Sequence, residues 1–123
     1  MSTWTPEDVS VLTTPEEVQV STRRRDGSLR RPTTIWVVGD GGRVFVRSTN
    51  GRSAAWFRGA LATGAGRLAA GSTAYDVVFA EAAADGLDRV DAAYRAKSGR
   101  YPSIVDHLEA AGPRAATLEV HPG

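Results

Sequence analysis

Residues 17–38, EVQVSTRRRDGSLRRPTTIWVV, read as a β-hairpin. From Glu17 to Arg24, Val18, Val20 and Thr22 alternate with Gln19, Ser21 and Arg23, the period-two pattern of a strand with one buried face. Arg25-Asp26-Gly27-Ser28 supplies the turn, because Asp-Gly accepts the positive backbone angles that tight hairpins need. The return strand, Leu29 to Val38, ends in the β-branched and aromatic run Thr33-Thr34-Ile35-Trp36-Val37-Val38. Gly39-Asp40-Gly41-Gly42 makes a second turn before a third strand, Arg43 to Thr49, in which Val44, Val46 and Ser48 oppose Arg43, Phe45 and Arg47. Together these segments predict an antiparallel meander.

Upstream, Thr5-Pro6-Glu7-Asp8 has the marks of a helix start: a capping hydroxyl, proline at the first helical position, and acids at the positive end of the dipole. Val9, Val11 and Leu12 are expected to face inward. Downstream, Ser53 is placed to cap a helix from Ala54 to Ala62, with Trp56, Ala60 and Leu61 toward the core and Gly64-Ala65-Gly66 ending it. Arg67 to Ala70 and Thr73 to Ala80 read as strands around Gly71-Ser72, with Tyr75, Val77 and Phe79 on one face. Leu87, Val90, Tyr94 and Lys97 mark one face of a helix over Asp85 to Lys97. A further helix runs from Pro102 to Ala111, closed by Gly112-Pro113, and Ala115 to Val120 is a last strand. About six strands result, with helices inserted after the third and the fifth. A chain of 123 residues without repeats fits one domain, residues 1–123.

The charge is unevenly spread. The net charge is +1, yet Arg23 to Arg67 holds ten arginines against two acids, Asp26 and Asp40. An anionic partner is the natural guest of such a segment. Nucleic acid fits poorly, because aromatic interleaving, helix–turn–helix spacing and zinc-finger spacing are all missing and the chain is nearly neutral. There are no cysteines, which removes disulfides and thiolate metal sites. Met1-Ser2-Thr3-Trp4 starts no basic–apolar leader and no apolar run approaches the ~20 residues of a membrane span, so the cytoplasm is the expected location and no membrane partner is expected.

Two places could hold the anion. In Arg47-Ser48-Thr49-Asn50-Gly51-Arg52-Ser53-Ala54-Ala55-Trp56, a strand end, a glycine turn and a helix start would aim backbone N–H groups at one spot flanked by Arg47 and Arg52. Arginine binds phosphate with a two-pronged fork and keeps its charge at any working pH. The second place is the hairpin tip, where Arg23-Arg24-Arg25 and Arg30-Arg31 crowd together and an anion would relieve their repulsion. Solvated arginines would explain either cluster equally simply. Trp36, Trp56 and Phe45 could line a flat ligand, although aromatics at such spacing more often pack a core. His107 and His121 have no partners at ligand spacing, so no metal site is read. Neither a Gly-x-Ser-x-Gly elbow nor a Ser–His–Asp set is present.

The hairpin string Ser21 to Trp36, then Val44-Phe45-Val46-Arg47-Ser48 and Trp56-Phe57-Arg58-Gly59-Ala60-Leu61, resembles the split-barrel flavin and deazaflavin proteins related to pyridoxamine phosphate oxidase. Within that group it is similar to a bacterial family of unassigned function. Tyr94-Arg95-Ala96-Lys97 and Ala116 to Pro122 extend the resemblance to the end of the chain. It implies an α+β, mainly β fold: a six-stranded antiparallel split β-barrel of the FMN-binding type with short helices. It also implies a homodimer with FMN or a deazaflavin coenzyme at the subunit interface, an expectation to which Trp56 and Phe57, read as exposed aromatics, contribute.

Carried over by position, the resemblance sets the ring system against Thr33, Thr34 and Ile35 and the phosphate near Arg47, Ser48 and Arg52, with Arg23 and Arg25 reaching a longer anionic tail. Ser53 and Trp56, at the helix start, complete the candidate cofactor-binding set. The turn Arg24-Arg25-Asp26-Gly27-Ser28 departs from the Gly-Arg-Lys-Ser-Gly of deazaflavin reductases, and Arg58-Gly59-Ala60-Leu61 lacks their asparagine before leucine. The implied activity is hydride transfer to a small molecule, with Tyr94 or Tyr101 as possible proton donors. The alternative is a non-catalytic protein that binds a phosphate-bearing small ligand.

Overall fold

A computed structural model describes residues 3–123, so Met1 and Ser2, on which part of the leader reading falls, lie outside the described residues. Helix α1 (Pro6–Thr13) starts as its sequence predicts: the Thr5 hydroxyl accepts from the Asp8 amide at 3.1 Å, and Pro6 opens the first turn. Leu12 is buried and Val9 packs against the core, but Val11 faces solvent. Strand β1 (Glu17–Thr22) buries Val18, Val20 and Thr22, as the alternation requires.

The hairpin turn forms where Asp26-Gly27 stands. Gly27 has φ +88°, and Asp26 Oδ1 accepts from both the amide and the hydroxyl of Ser28. Pairing there is sparser than the sequence suggests, because β2 (Thr33–Asp40) begins four residues beyond Leu29 and the tip is closed by an isolated Arg23–Leu29 bridge and a few backbone hydrogen bonds, among them Arg24 N to Ser28 O at 2.8 Å. Gly41 and Gly42, both at positive φ, then turn the chain into β3 (Arg43–Arg47).

A short 3₁₀ turn, Gly51–Ser53, leads to α2 (Ala55–Thr63), which Gly64 ends in the left-handed conformation. Ser53 does not cap this helix; Ala54 occupies the cap position, and the Ser53 hydroxyl donates to Asn50 O at 3.3 Å instead. Trp56 and Ala60 face the core as expected, but Phe57 joins them there and Leu61 is exposed. Strands β4 (Ala65–Ala70) and β5 (Thr73–Glu81) follow, then a 3₁₀ turn and α3 (Leu87–Ser98). The single expected helix from Pro102 to Ala111 is two, α4 (Pro102–Leu108) and α5 (Ala111–Ala115), with Gly112-Pro113 inside the second rather than closing the first. Strand β6 (Thr117–Pro122) completes the set.

The six strands close into an antiparallel barrel in the order β1-β2-β3-β6-β5-β4, with β4 returning to β1 through pairs such as Ser21 with Arg67. This is the six-stranded barrel expected from the sequence. Val18, Val20, Ile35, Val37, Val44, Val46 and their neighbours fill its interior, joined by Leu12 of α1 and by Trp56 and Phe57 of α2. Burying each large apolar side chain contributes roughly 1.5–3 kcal/mol. A second cluster lies outside the barrel: Val38 and Phe45, on the outer face of β2 and β3, pack under Val90 and Tyr94 of α3 and Leu108 of α4. That outer layer is why every residue of β3 after Arg43 is buried. No helix among the described residues is long and apolar enough to cross a membrane.

Candidate functional site

The arginine-rich middle separates into two groups once folded. Five arginines meet carboxylates: Arg23 and Arg67 share Asp76, Arg43 pairs with Glu119, Arg47 with Asp91 and Arg52 with Glu81. The other five, Arg24, Arg25, Arg30, Arg31 and Arg58, form no ion pair among the described residues. All but Arg58 belong to the hairpin tip, so the free positive charge is concentrated there.

Three of these arginines line a cavity of about 340 Å³ together with Thr22, Thr33, Ala55 and Trp56. Local structure explains the assembly. The Arg30 amide donates to Thr22 O at 2.8 Å, which folds the return segment back over the end of β1, and the Thr63 hydroxyl donates to Arg23 O at 2.9 Å, tying α2 to the hairpin base. Gly59 permits the close approach: a Cβ there would lie 2.6 Å from Thr22 Oγ1 and 3.4 Å from Arg30 Nε. Ala55 and Trp56 belong to the first turn of α2, whose backbone N–H groups have no acceptor within the helix.

Thr22 Oγ1 is the unusual atom of this site. Its residue is 1% exposed, and the hydroxyl has no hydrogen-bond partner. A buried hydroxyl left without a partner costs about 1–3 kcal/mol. A ligand oxygen would remove that cost.

The residues expected to bind a cofactor reach different places. Thr33 and Trp56 line the cavity, whereas Ile35 is in the barrel core and the Thr34 hydroxyl accepts from Gln19 Nε2 at 2.6 Å. Arg23 is turned to Asp76 and to Gly27 O, and Arg25 stands exposed on the tip. Arg47 does not reach the cavity. It is 0% exposed, and its guanidinium donates to Asp91, Thr117 Oγ1, Leu108 O and Leu87 O. Ser48 is buried behind it with an unpartnered hydroxyl, and Arg52 lies over the Phe57 ring, bonded to Glu81 at 2.5 Å and to Ala115 O at 2.9 Å. The structure thus joins the hairpin to the start of α2 through Arg24, Arg30 and Arg31, and leaves Arg47 and Arg52 in other contacts.

Trp56 and Phe57 are buried, contrary to their reading as exposed aromatics; the large apolar side chains left in solvent are Val11, Leu61, Val78 and Tyr101. Tyr94 is not placed to give up a proton: its hydroxyl donates to Trp36 O at 2.9 Å, and burial raises its pKa. His107 is spent on Thr49 O at 2.6 Å, and no group of metal-binding side chains occurs among the described residues. Thr22 was missed from sequence because a threonine in a strand gives no sign of an unpartnered hydroxyl. The continuous apolar run Val44-Phe45-Val46 does signal a strand covered on both faces, and with it the burial of Arg47.

Residues 8–120 match the family described as "Uncharacterized protein conserved in bacteria (DUF2255)". The chain belongs to the DUF2255 family. Among solved structures, this DUF2255 chain is similar to the conserved hypothetical protein Rv2991 from Mycobacterium tuberculosis, with a TM-score of 0.63 and 12% identity over 97% of this chain and 79% of that one. It is also similar to an F420 reductase, with a TM-score of 0.52 and 16% identity over 93% of this chain and 91% of that one. At these identities the likeness is one of fold. No curated protein sequence matches the DUF2255 chain significantly.

Proposed function

We propose that this protein binds a flavin or deazaflavin nucleotide, with the anionic end of the ligand in the cavity of Thr22, Arg24, Arg30 and Arg31 and Trp56 as a flat wall. The observation that carries this reading is the buried, unpartnered Thr22 hydroxyl beside three arginines that lack carboxylate partners. The donor set suits a phosphate: forked guanidinium groups, a hydroxyl and the first turn of a helix. Fold similarity to an F420 reductase supports a deazaflavin, and the surplus of free charge on the tip suits a ligand with more than one anionic group.

When bound, the reduced ring would supply a hydride to a small molecule. The chain's own part is to bind and orient. Arg30 and Arg31 hold the anion, Thr22 donates its hydroxyl, and Thr33 and Trp56 flank the ring-proximal side. At about 340 Å³ the cavity is at the small end of ligand pockets, which begin near ~300 Å³, so a wall from a second copy fits this reading and a homodimer is part of the proposal.

One observation favours a non-catalytic binder as the second reading: arginines are the only titratable residues lining the cavity, so the site offers no acid or base of its own. Titration with FMN and with F420, followed by ring absorbance, tests both. Micromolar binding to either is expected, with Arg30→Ala and Arg31→Ala each raising Kd about tenfold; affinity no tighter than about millimolar would sink the proposal. Turnover of reduced coenzyme with an electron acceptor separates the enzyme from the carrier, and light scattering at micromolar concentration tests the dimer.

A further inference from the structure

A second and larger cavity, about 740 Å³, lies between α1, the β2–β3 turn and α3, and shares no lining residue with the first. Its apolar wall comes from Val9, Val38, Ala92, Ala93 and Ala96, and Lys97 lines it as well. Arg89, Ala93 and Lys97 are four residues apart and so share one face of α3. The alanines between the two cations leave that face open.

Lys97 is the sole lysine in a chain with fourteen arginines. It is half-buried, and its ammonium donates to Pro15 O at 2.6 Å and Val37 O at 2.5 Å. Those two bonds hold the group in place and leave its third N–H without an acceptor among the described residues. Nor does it have a carboxylate partner. Glu16, the nearby acid, is taken by the Ser98 hydroxyl at 2.7 Å and by Arg100 at 2.9 Å. Arg89, by contrast, is matched by Asp40 at 3.0 Å. The cavity therefore carries a positive charge with no carboxylate bonded to it, beside an apolar wall, and a partly desolvated charge gains from an anion that pairs with it directly.

We infer that this cavity binds a small carboxylate with an apolar tail, its carboxylate meeting the Lys97 ammonium and its tail lying along the alanines of α3. The ammonium supplies a charge-assisted hydrogen bond, and the alanine face supplies room and apolar contact. A neutral ligand of the same shape gains only the second of these.

Hexanoate and hexan-1-ol, titrated separately into ¹⁵N-labelled protein, test the inference. Hexanoate is expected to shift the amides of Gly39, Gly41 and Ala93 and to saturate with Kd below about 5 mM, with hexan-1-ol at least about tenfold weaker. Lys97→Gln should bring the two ligands to equal affinity. Because Lys97 also ties α3 to the barrel, Ala92→Phe at an exposed helix position gives a second test, filling the cavity and weakening hexanoate at least about tenfold. The inference is overturned by shifts that do not saturate, by hexan-1-ol binding as well as hexanoate, or by Ala92→Phe binding hexanoate like the parent protein.

Discussion

The Arg47 guanidinium, fully withdrawn from solvent, is ion-paired with the Asp91 carboxylate and so joins the barrel to the helical layer. Asp91 in turn receives Arg114 Nε at 3.0 Å, and the Arg47 guanidinium lies 5.6 Å from the centre of the Tyr94 ring. These contacts join β3 to α3 and α5 across the outer cluster. Removing Arg47 would leave Asp91 with Arg114 alone and strip Thr117 Oγ1, Leu108 O and Leu87 O of their donor. Arg47→Leu is therefore expected to lower stability by about 3–5 kcal/mol in urea unfolding. Arg47→Lys should recover only part of it, since an ammonium cannot serve all four acceptors in the same geometry. A destabilised variant that still folds should bind FMN with unchanged Kd.

Gly59→Ala exposes a conflict between helix propensity and packing. Alanine within a helix gains roughly 1 kcal/mol over glycine. Here, however, the added Cβ meets Thr22 Oγ1 at 2.6 Å and crowds Arg30. A net loss of about 1–3 kcal/mol is expected for Gly59→Ala, along with weaker nucleotide binding. Adding Thr22→Ala should return most of the stability while leaving binding impaired, which thermal unfolding and an FMN titration would show together.

Arg52 pairs with Glu81 in solvent, where the hydrogen bond from the guanidinium lowers the Glu81 pKa. Exposed pairs add little to stability. Arg52→Ala is expected to leave both the urea midpoint and the FMN affinity unchanged within error. A marked loss of FMN affinity would restore Arg52 to the phosphate site.

Burial brings the Lys97 ammonium down to about 8 from its ordinary 10.5, against the opposing pull of Glu16. Between those values the unfolded chain holds the proton and the folded chain releases it, so stability rises with pH across the window. Relative to Lys97→Gln, the parent protein should gain stability from about pH 8 to about pH 10 in urea melts. A flat or falling difference would mean that the two carbonyl acceptors, not burial, set the titration.

Local patterns were readable because their causes are local. The alternation Val18-Val20-Thr22, the Asp26-Gly27 turn, the Gly41-Gly42 turn and the Thr5-Pro6 cap each depend on neighbours within a few residues, and each appears where expected. Boundaries failed where a local signal had a competitor. Ser53 has capping chemistry but is taken up by a 3₁₀ turn, and Gly112-Pro113 lies within a helix that its composition argues against.

From its sequence alone the chain has determined its strands, its turns and the arginine-rich middle, because backbone propensity, burial period and net charge are properties of short segments. Which arginines remain free is a tertiary matter. Arg47 is withdrawn by Asp91, forty-four residues later in the chain, and Arg52 by Glu81, twenty-nine residues later. Arg23 is matched by Asp76, but Arg24, Arg25, Arg30 and Arg31 stay unpaired because no acid from a distant element reaches them among the described residues. Thr22 is left without a partner by the closure of α2 over β1, a contact that depends on Gly59 and on no feature of the strand in which Thr22 sits.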